Sequence, residues 1–149
     1  MMTRRFALIV GIVYLVIGIA GFIPGLVQGQ DYPDLAIDAG SGALLGLFPV
    51  NVVHHLVHLL VGILGIAAYR AFDSARLYSR GLAIVYGVLA VMGLISAANL
   101  HTMFGLTPLF SHDVWLHAGT AIIAAYFGWG PVDARDEVAG GAARIGNRA

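Results

Sequence analysis

Four apolar runs, at about residues 6–27, 50–69, 81–100 and 114–130, make up most of this 149-residue chain. Each approaches the ~20 residues that a helix needs to cross a hydrocarbon core of ~30 Å. No other feature constrains the fold as much, because a backbone in lipid has to satisfy its own hydrogen bonds and a run of this length does so as a helix. Composition agrees: 59% of residues are hydrophobic and 11% charged, against roughly 25% charged in soluble domains. The expected fold is all-α, an integral membrane four-helix bundle within residues 1–130. The fourth run is the shortest, at the lower limit of a span unless Ser111 to Asp113 add a turn.

The arginines orient these runs. Arg4 and Arg5 precede the first, Arg70, Arg76 and Arg80 separate the second from the third, and Arg135, Arg144 and Arg148 follow the fourth. The other two connections, 28–49 and 101–113, contain no arginine and carry Asp31, Asp34, Asp38 and Asp113. The positive-inside rule then puts both termini in the cytoplasm of a multi-pass membrane protein. The first run is longer than the ~7–15 residues of a signal-peptide core and is followed by no Ala-x-Ala pattern, so it reads as a retained helix. Residues 131–149, rich in Gly, Ala and charge, read as a mobile cytoplasmic tail. The first outer connection turns apolar from Ala43 onward and is expected to lie along the membrane surface. Cysteine and lysine are absent and the formal net charge is zero. Those facts remove disulfides, thiolate metal sites, cysteine nucleophiles and any basic surplus that would point to nucleic acid.

The chain also repeats itself. IVYLVIGIAG at 12–21 shares Ile, Val, Tyr, Val and Gly with IVYGVLAVMG at 84–93. GLFPVNVVHHLVH at 46–58 shares Gly, Leu, Pro and the final His with GLTPLFSHDVWLH at 105–117. The offsets, 72 and 59, make the first outer connection 13 residues longer. Both halves start on the arginine side, so the pattern predicts two tandem helical hairpins related by a pseudo-twofold axis along the membrane normal.

All six histidines fall toward the outer end. His54 and His58, four apart, share a helix face, as do Asp113 and His117. In the repeat His54 corresponds to Asp113 and His58 to His117. Three imidazoles and a carboxylate in two such pairs suit a transition metal ion, zinc, copper, iron or manganese, with Asn51 and His55 as second-tier ligands. Ionisable groups at membrane depth are functional candidates by default. The bland reading of the same residues is a hydrogen-bonded layer that fixes helix packing near the interface.

Haem, pigment, lipid and quinone contacts remain open as well, although no outer Arg or Lys stands ready for haem propionates. The order His-His-Leu-Val-His puts His55 where a zincin protease has its catalytic glutamate, so no protease is expected. The inner halves of the runs carry no ionisable relay, which disfavours a proton or solute path. Asn51 and Ser111 are placed to cap the second and fourth helices. Gln28 and Asn99 fall at the ends of the first and third runs, and His101 and His112 in the outer connection. Tyr14 and Tyr86 should each find a partner inside the bundle. Gly11, Gly18, Gly21, Gly62, Gly65, Gly87 and Gly93 suit close helix approach, and Trp115 and Trp129 suit interfacial anchoring.

LFPVNVVHHLVHLLVGILG together with DVWLHAGTAI resembles a widespread family of small bacterial four-helix membrane proteins classified as a domain of unknown function. The family's pattern is a Pro-Val-Asn-x-x-His-Asn-x-x-His run opening the second helix and an Asp-Asn-x-Leu-His run opening the fourth. Pro49, Val50, Asn51, His54 and His58 match the first, and Asp113, Leu116 and His117 the second. His55 and Val114 stand where the pattern has Asn, which weighs against His55 as a functional residue. The resemblance covers about residues 6–130 and implies a fold and a motif but no reaction. Two functions are therefore expected as rivals. One is a membrane protein binding a metal ion or cofactor through His54, His58, Asp113 and His117. The other is an accessory subunit or homo-oligomer whose glycine-rich faces pack within a larger membrane complex.

Overall fold

The structure is a computed structural model that describes residues 1–131; the expected tail lies outside the described residues. The chain is mostly helical. In order it forms α1 (Met2–Ala20), β1 (Val27–Gly29), β2 (Gly42–Leu44), β3 (Phe48–Val50), α2 (Val52–Ala68), α3 (Phe72–Gly93), a 3-10 segment (Ala97–Thr102) and α4 (His112–Trp129). The three strands make one antiparallel sheet in the order β1-β2-β3, with Val27 opposite Leu44 and Gly42 opposite Val50. The all-α expectation is corrected here. The first outer connection closes on itself as a small sheet, because Pro24 and Gly25, the latter at φ +89°, stop α1 early and return the chain as a strand.

The helix ends move accordingly. α1 stops at Ala20 and not near Val27, so Gln28 sits in β1 opposite Ala43 instead of at a helix end. α3 begins at Phe72, nine residues before the apolar run, and stops at Gly93. Beyond it Ala98 and Asn99 adopt left-handed backbone, which breaks the helix. α4 begins at His112, so that histidine is helical and not part of the loop.

α1 packs antiparallel on α2, and α3 antiparallel on α4. A Cβ on Gly11 would lie 2.7 Å from the Ile66 nitrogen, and one on Gly62 2.6 Å from the Leu15 nitrogen, so the two backbones all but touch. Gly87, by contrast, meets nothing closer than the Ala121 Cβ at 3.9 Å. The pairs are joined by a core of Phe6, Leu82, Tyr86 and Ala124, by stacking of Phe6 on Phe127 at 4.4 Å, and by the Tyr78 hydroxyl donating to the Val61 carbonyl.

The two ends of the molecule differ in chemistry. At one, Arg4 donates to the Tyr69 carbonyl, while Arg76 and Arg80 both donate to the Gly128 carbonyl. At the other lie the sheet and the 3-10 segment. All non-glycine residues with left-handed φ among the described residues, Leu45, Ala98, Asn99, Met103, Phe104 and Ser111, belong to the connections at this end. α1 and α3 are long and apolar enough to cross a membrane, and α2 is apolar but shorter.

Candidate functional site

The site is assembled where α2 and α4 start. β3 runs straight into Asn51, the N-cap of α2, whose side-chain oxygen accepts from the His54 backbone N–H at 3.0 Å. The same amide donates to the carbonyls of Ile37 and Leu106, each at 2.8 Å. Asn51 thus ties both connections at this end to the head of α2, with both amide protons and one acceptor position of its oxygen engaged within the protein. The Gly105 carbonyl, which accepts from Ala36 and Ile37, adds to the seam, and Asp34 lies 3.4 Å from His101 across it. Ser111 holds the N-cap position of α4 but makes no capping bond. Its hydroxyl turns to His112 Nδ1 instead, because its backbone, at φ 64° and ψ −133°, aims the side chain away.

Beneath this seam five aromatic side chains close a ring. His54 and His58 are 4.5 Å apart by centroid, His58 and Tyr14 5.0 Å, Tyr14 and Tyr86 5.4 Å, Tyr86 and His117 5.2 Å, and His117 and His54 6.2 Å. All four helices contribute. Asp113 joins the ring at His54, its Oδ2 being 3.9 Å from His54 Nδ1, which is too long for a hydrogen bond. The four sequence-predicted residues His54, His58, Asp113 and His117 are therefore neighbours, and their helical pairing explains it, since each pair occupies one face of its helix.

His55 points elsewhere. It is buried against α1, where a Cβ on Gly21 would collide with its ring and where Phe22 packs on it edge-on. His112 is exposed and faces Phe48, while His101 faces Phe110. Thr120 was not legible as a site residue, yet its hydroxyl is 3.2 Å from that of Tyr14. Its place three residues after His117 on α4 was the available signal.

His54 and Asp113 are 5% and 4% exposed. Nδ1 of His54, His58 and His117 and Oδ2 of Asp113 are buried without a hydrogen-bond partner. Buried polar atoms are seldom left so. A cavity of about 240 Å³ adjoins His54, His58 and Asp113, which share its polar wall with Tyr14 and Thr120, while His117 stands outside its lining. The donor set is chemically suited to a metal ion, but among the described residues no three such side chains stand close enough together to hold one. The arrangement offers hydrogen-bond donors and acceptors to something that enters the cavity.

No curated protein and no solved structure matches the chain. A family model does, over residues 4–130, which takes in α1 from its third residue, the other helices among the described residues and the whole polar ring. The chain belongs to the family described as a domain of unknown function, DUF4383.

Proposed function

We propose that this chain is a four-helix bacterial inner-membrane protein, with both termini cytoplasmic, whose outer polar layer of His54, His58, Asp113 and His117 binds a small ligand. The membrane assignment draws support from the outward faces of all four helices. Ile9, Val16, Leu60, Ile63, Val88, Val91, Ile122 and Ile123 are each more than half exposed, while the polar ring points inward. Lipid is the solvent that suits such a surface. α2 and α4 fall below the length or hydropathy of an ordinary span, and the polar residues at their outer ends account for that. The arginine cluster at the opposite end supports the orientation.

The single observation that carries ligand binding is the convergence of three buried, unpartnered polar atoms from both hairpins, His54 Nδ1, His58 Nδ1 and Asp113 Oδ2, beside one cavity, with the unpartnered His117 next to His54 in the ring. Repetition supports the two-hairpin reading too. Tyr14 meets His58 at 79° and Tyr86 meets His117 at 74°, and these are equivalent positions in the repeat.

A second reading, a bound metal ion, is favoured by the donor chemistry of the same four residues, which would need their side chains to draw together by rotation about χ1 and χ2. Metal analysis, an absorption spectrum and mass spectrometry of small molecules released from the purified protein test both readings. A stoichiometric component that His58→Ala and His117→Ala both lose is the expected result. A preparation with no such component and a tightly co-purifying membrane partner would overturn them in favour of an accessory subunit.

A further inference from the structure

The shape and lining of the cavity narrow what the polar layer binds, given the ligand-binding reading above. The cavity has a roof, a floor and one open side. β2 and β3 roof it through Leu44, Phe48 and Val50, of which Leu44 and Val50 are buried. The contact of Tyr14 with Thr120 closes it toward the arginine end, and Phe6 stacked on Phe127 seals α1 to α4 below that. Between these limits the rim is formed by Val13 and Ile17 of α1, Leu45 of the sheet and Leu116 of α4. Val13, Leu45 and Leu116 are 47%, 62% and 51% exposed, so the opening is sideways, between α1 and α4, at the apolar surface. A molecule dissolved in the bilayer would meet it directly. One in water would meet the roof.

Charge and hydrogen bonding define the part that enters. No arginine lines the cavity, and the described arginines whose side-chain contacts are resolved, Arg4, Arg76 and Arg80, sit at the opposite end, while Asp113 lies on the polar wall. Phosphate and carboxylate heads are disfavoured on that count. A bare hydrocarbon is disfavoured as well, because it would leave His54 Nδ1 and Asp113 Oδ2 buried and unpaired. Imidazole and carboxyl side chains together present donors and acceptors, which suits hydroxyl and carbonyl oxygens. At about 240 Å³ the space is smaller than the roughly 300–1,000 Å³ of drug-sized pockets, enough for one substituted ring with the remainder left in the lipid. Tyr14 and Phe48 add aromatic surface to the lining beside such a ring.

We propose that the layer receives the head of a neutral, membrane-dissolved lipid, a single ring bearing hydroxyl or carbonyl oxygens as in prenylated phenols and quinones, which enters laterally between α1 and α4. The head lies beside His54, His58 and Asp113, and the tail leaves past Leu116 and Val13.

The test uses the full chain in phosphatidylcholine nanodiscs with four probes: a decyl-substituted benzoquinone, its quinol, tail-free hydroquinone and dodecyl phosphate. Binding is read by calorimetry against empty nanodiscs, with thermal melting to verify that each variant folds. The quinone and quinol should bind saturably, dodecyl phosphate should not compete, and His54→Phe and Asp113→Leu should each weaken binding at least tenfold. Leu116→Trp, at an exposed rim position, should weaken the tailed probes severalfold and leave hydroquinone unchanged. Competition by dodecyl phosphate, or tailed probes indifferent to Leu116→Trp, would overturn the lateral neutral-lipid site. Hydroquinone binding that still depends on His54 and Asp113 would then leave the polar layer standing as a binding site. Failure of all four probes in folded protein would overturn the neutral-lipid proposal, and the wider ligand-binding reading would fall only if the released-component analysis were empty as well.

Discussion

The hairpin α1–α2 and the hairpin α3–α4 are built alike and finished differently. Each presents a tyrosine from its first helix edge-on to a histidine of its second, Tyr14 to His58 at 5.0 Å and Tyr86 to His117 at 5.2 Å. In each, a glycine near the end of the first helix makes room for the opening turn of the second, Gly21 for His55 and Gly93 for Val114 and the Leu109 carbonyl. The hairpins part company at the polar positions. His54 in one is matched by Asp113 in the other, and Val61 by Thr120, while only the first hairpin has its Asn51 cap. Two hairpins with matching Tyr–His contacts carry unlike polar side chains and unlike glycine packing, so likeness in the ring does not extend to the donor set or to the closeness of the helices. A base-like imidazole now faces a carboxyl across the joint.

The glycines offer the strongest way to break that comparison. In the first hairpin Gly11→Leu would drive a side chain into the backbone at Ile66 and should cost about 3 kcal/mol or prevent folding. In the second, Gly87→Ala has space beside Ala121 and should be neutral or stabilise by up to about 1 kcal/mol. Unfolding in mixed detergent micelles reads both. Equal losses would mean that the hairpins pack alike at this level.

The caps come next. Asn51→Ala removes the bond to the His54 N–H and strands the carbonyls of Ile37 and Leu106, a loss of about 2–3 kcal/mol. Ser111→Ala removes no capping bond and should stay within about 0.5 kcal/mol. Proteolysis of the two outer connections would show the same contrast, with cleavage rising in the first variant alone. The smallest effect belongs to the contact between hairpins. A double-mutant cycle of Tyr14→Phe with Thr120→Val should give a coupling of about 0.6 kcal/mol, the usual size for hydrogen bonds between membrane helices. A coupling of zero would remove that bond from the floor of the cavity.

These contrasts also mark how far the sequence could be read. The helices were legible because apolar runs near twenty residues admit little else, and the pairing of His54 with His58 and of Asp113 with His117 followed from helical period. The sheet was not, because its strands are three residues each and carry Gly29, Gly42 and Pro49, residues that argue against strands locally. Only pairing between segments distant in sequence makes them strands. The early start of α3 was hidden by Asp73, Arg76 and Arg80, which belong to the helix but not to its apolar stretch. Asn51 was legible as a cap and not as a seam, since its other two partners are backbone carbonyls that no side-chain pattern reveals. Thr120 was invisible for a related reason: one hydroxyl in an apolar helix signals nothing until Tyr14 is placed beside it.

The central claim is that residues from both hairpins act as one binding layer. Histidine-selective ¹⁵N NMR of the protein in nanodiscs, titrated with the decyl-substituted quinol, tests it most directly because the six histidines of the chain include both the layer and its controls. Ring signals of His54, His58 and His117 should shift together along one saturation curve while those of His101 and His112 stay in place. Shifts confined to His101 and His112, or separate curves for the two hairpins, would contradict it.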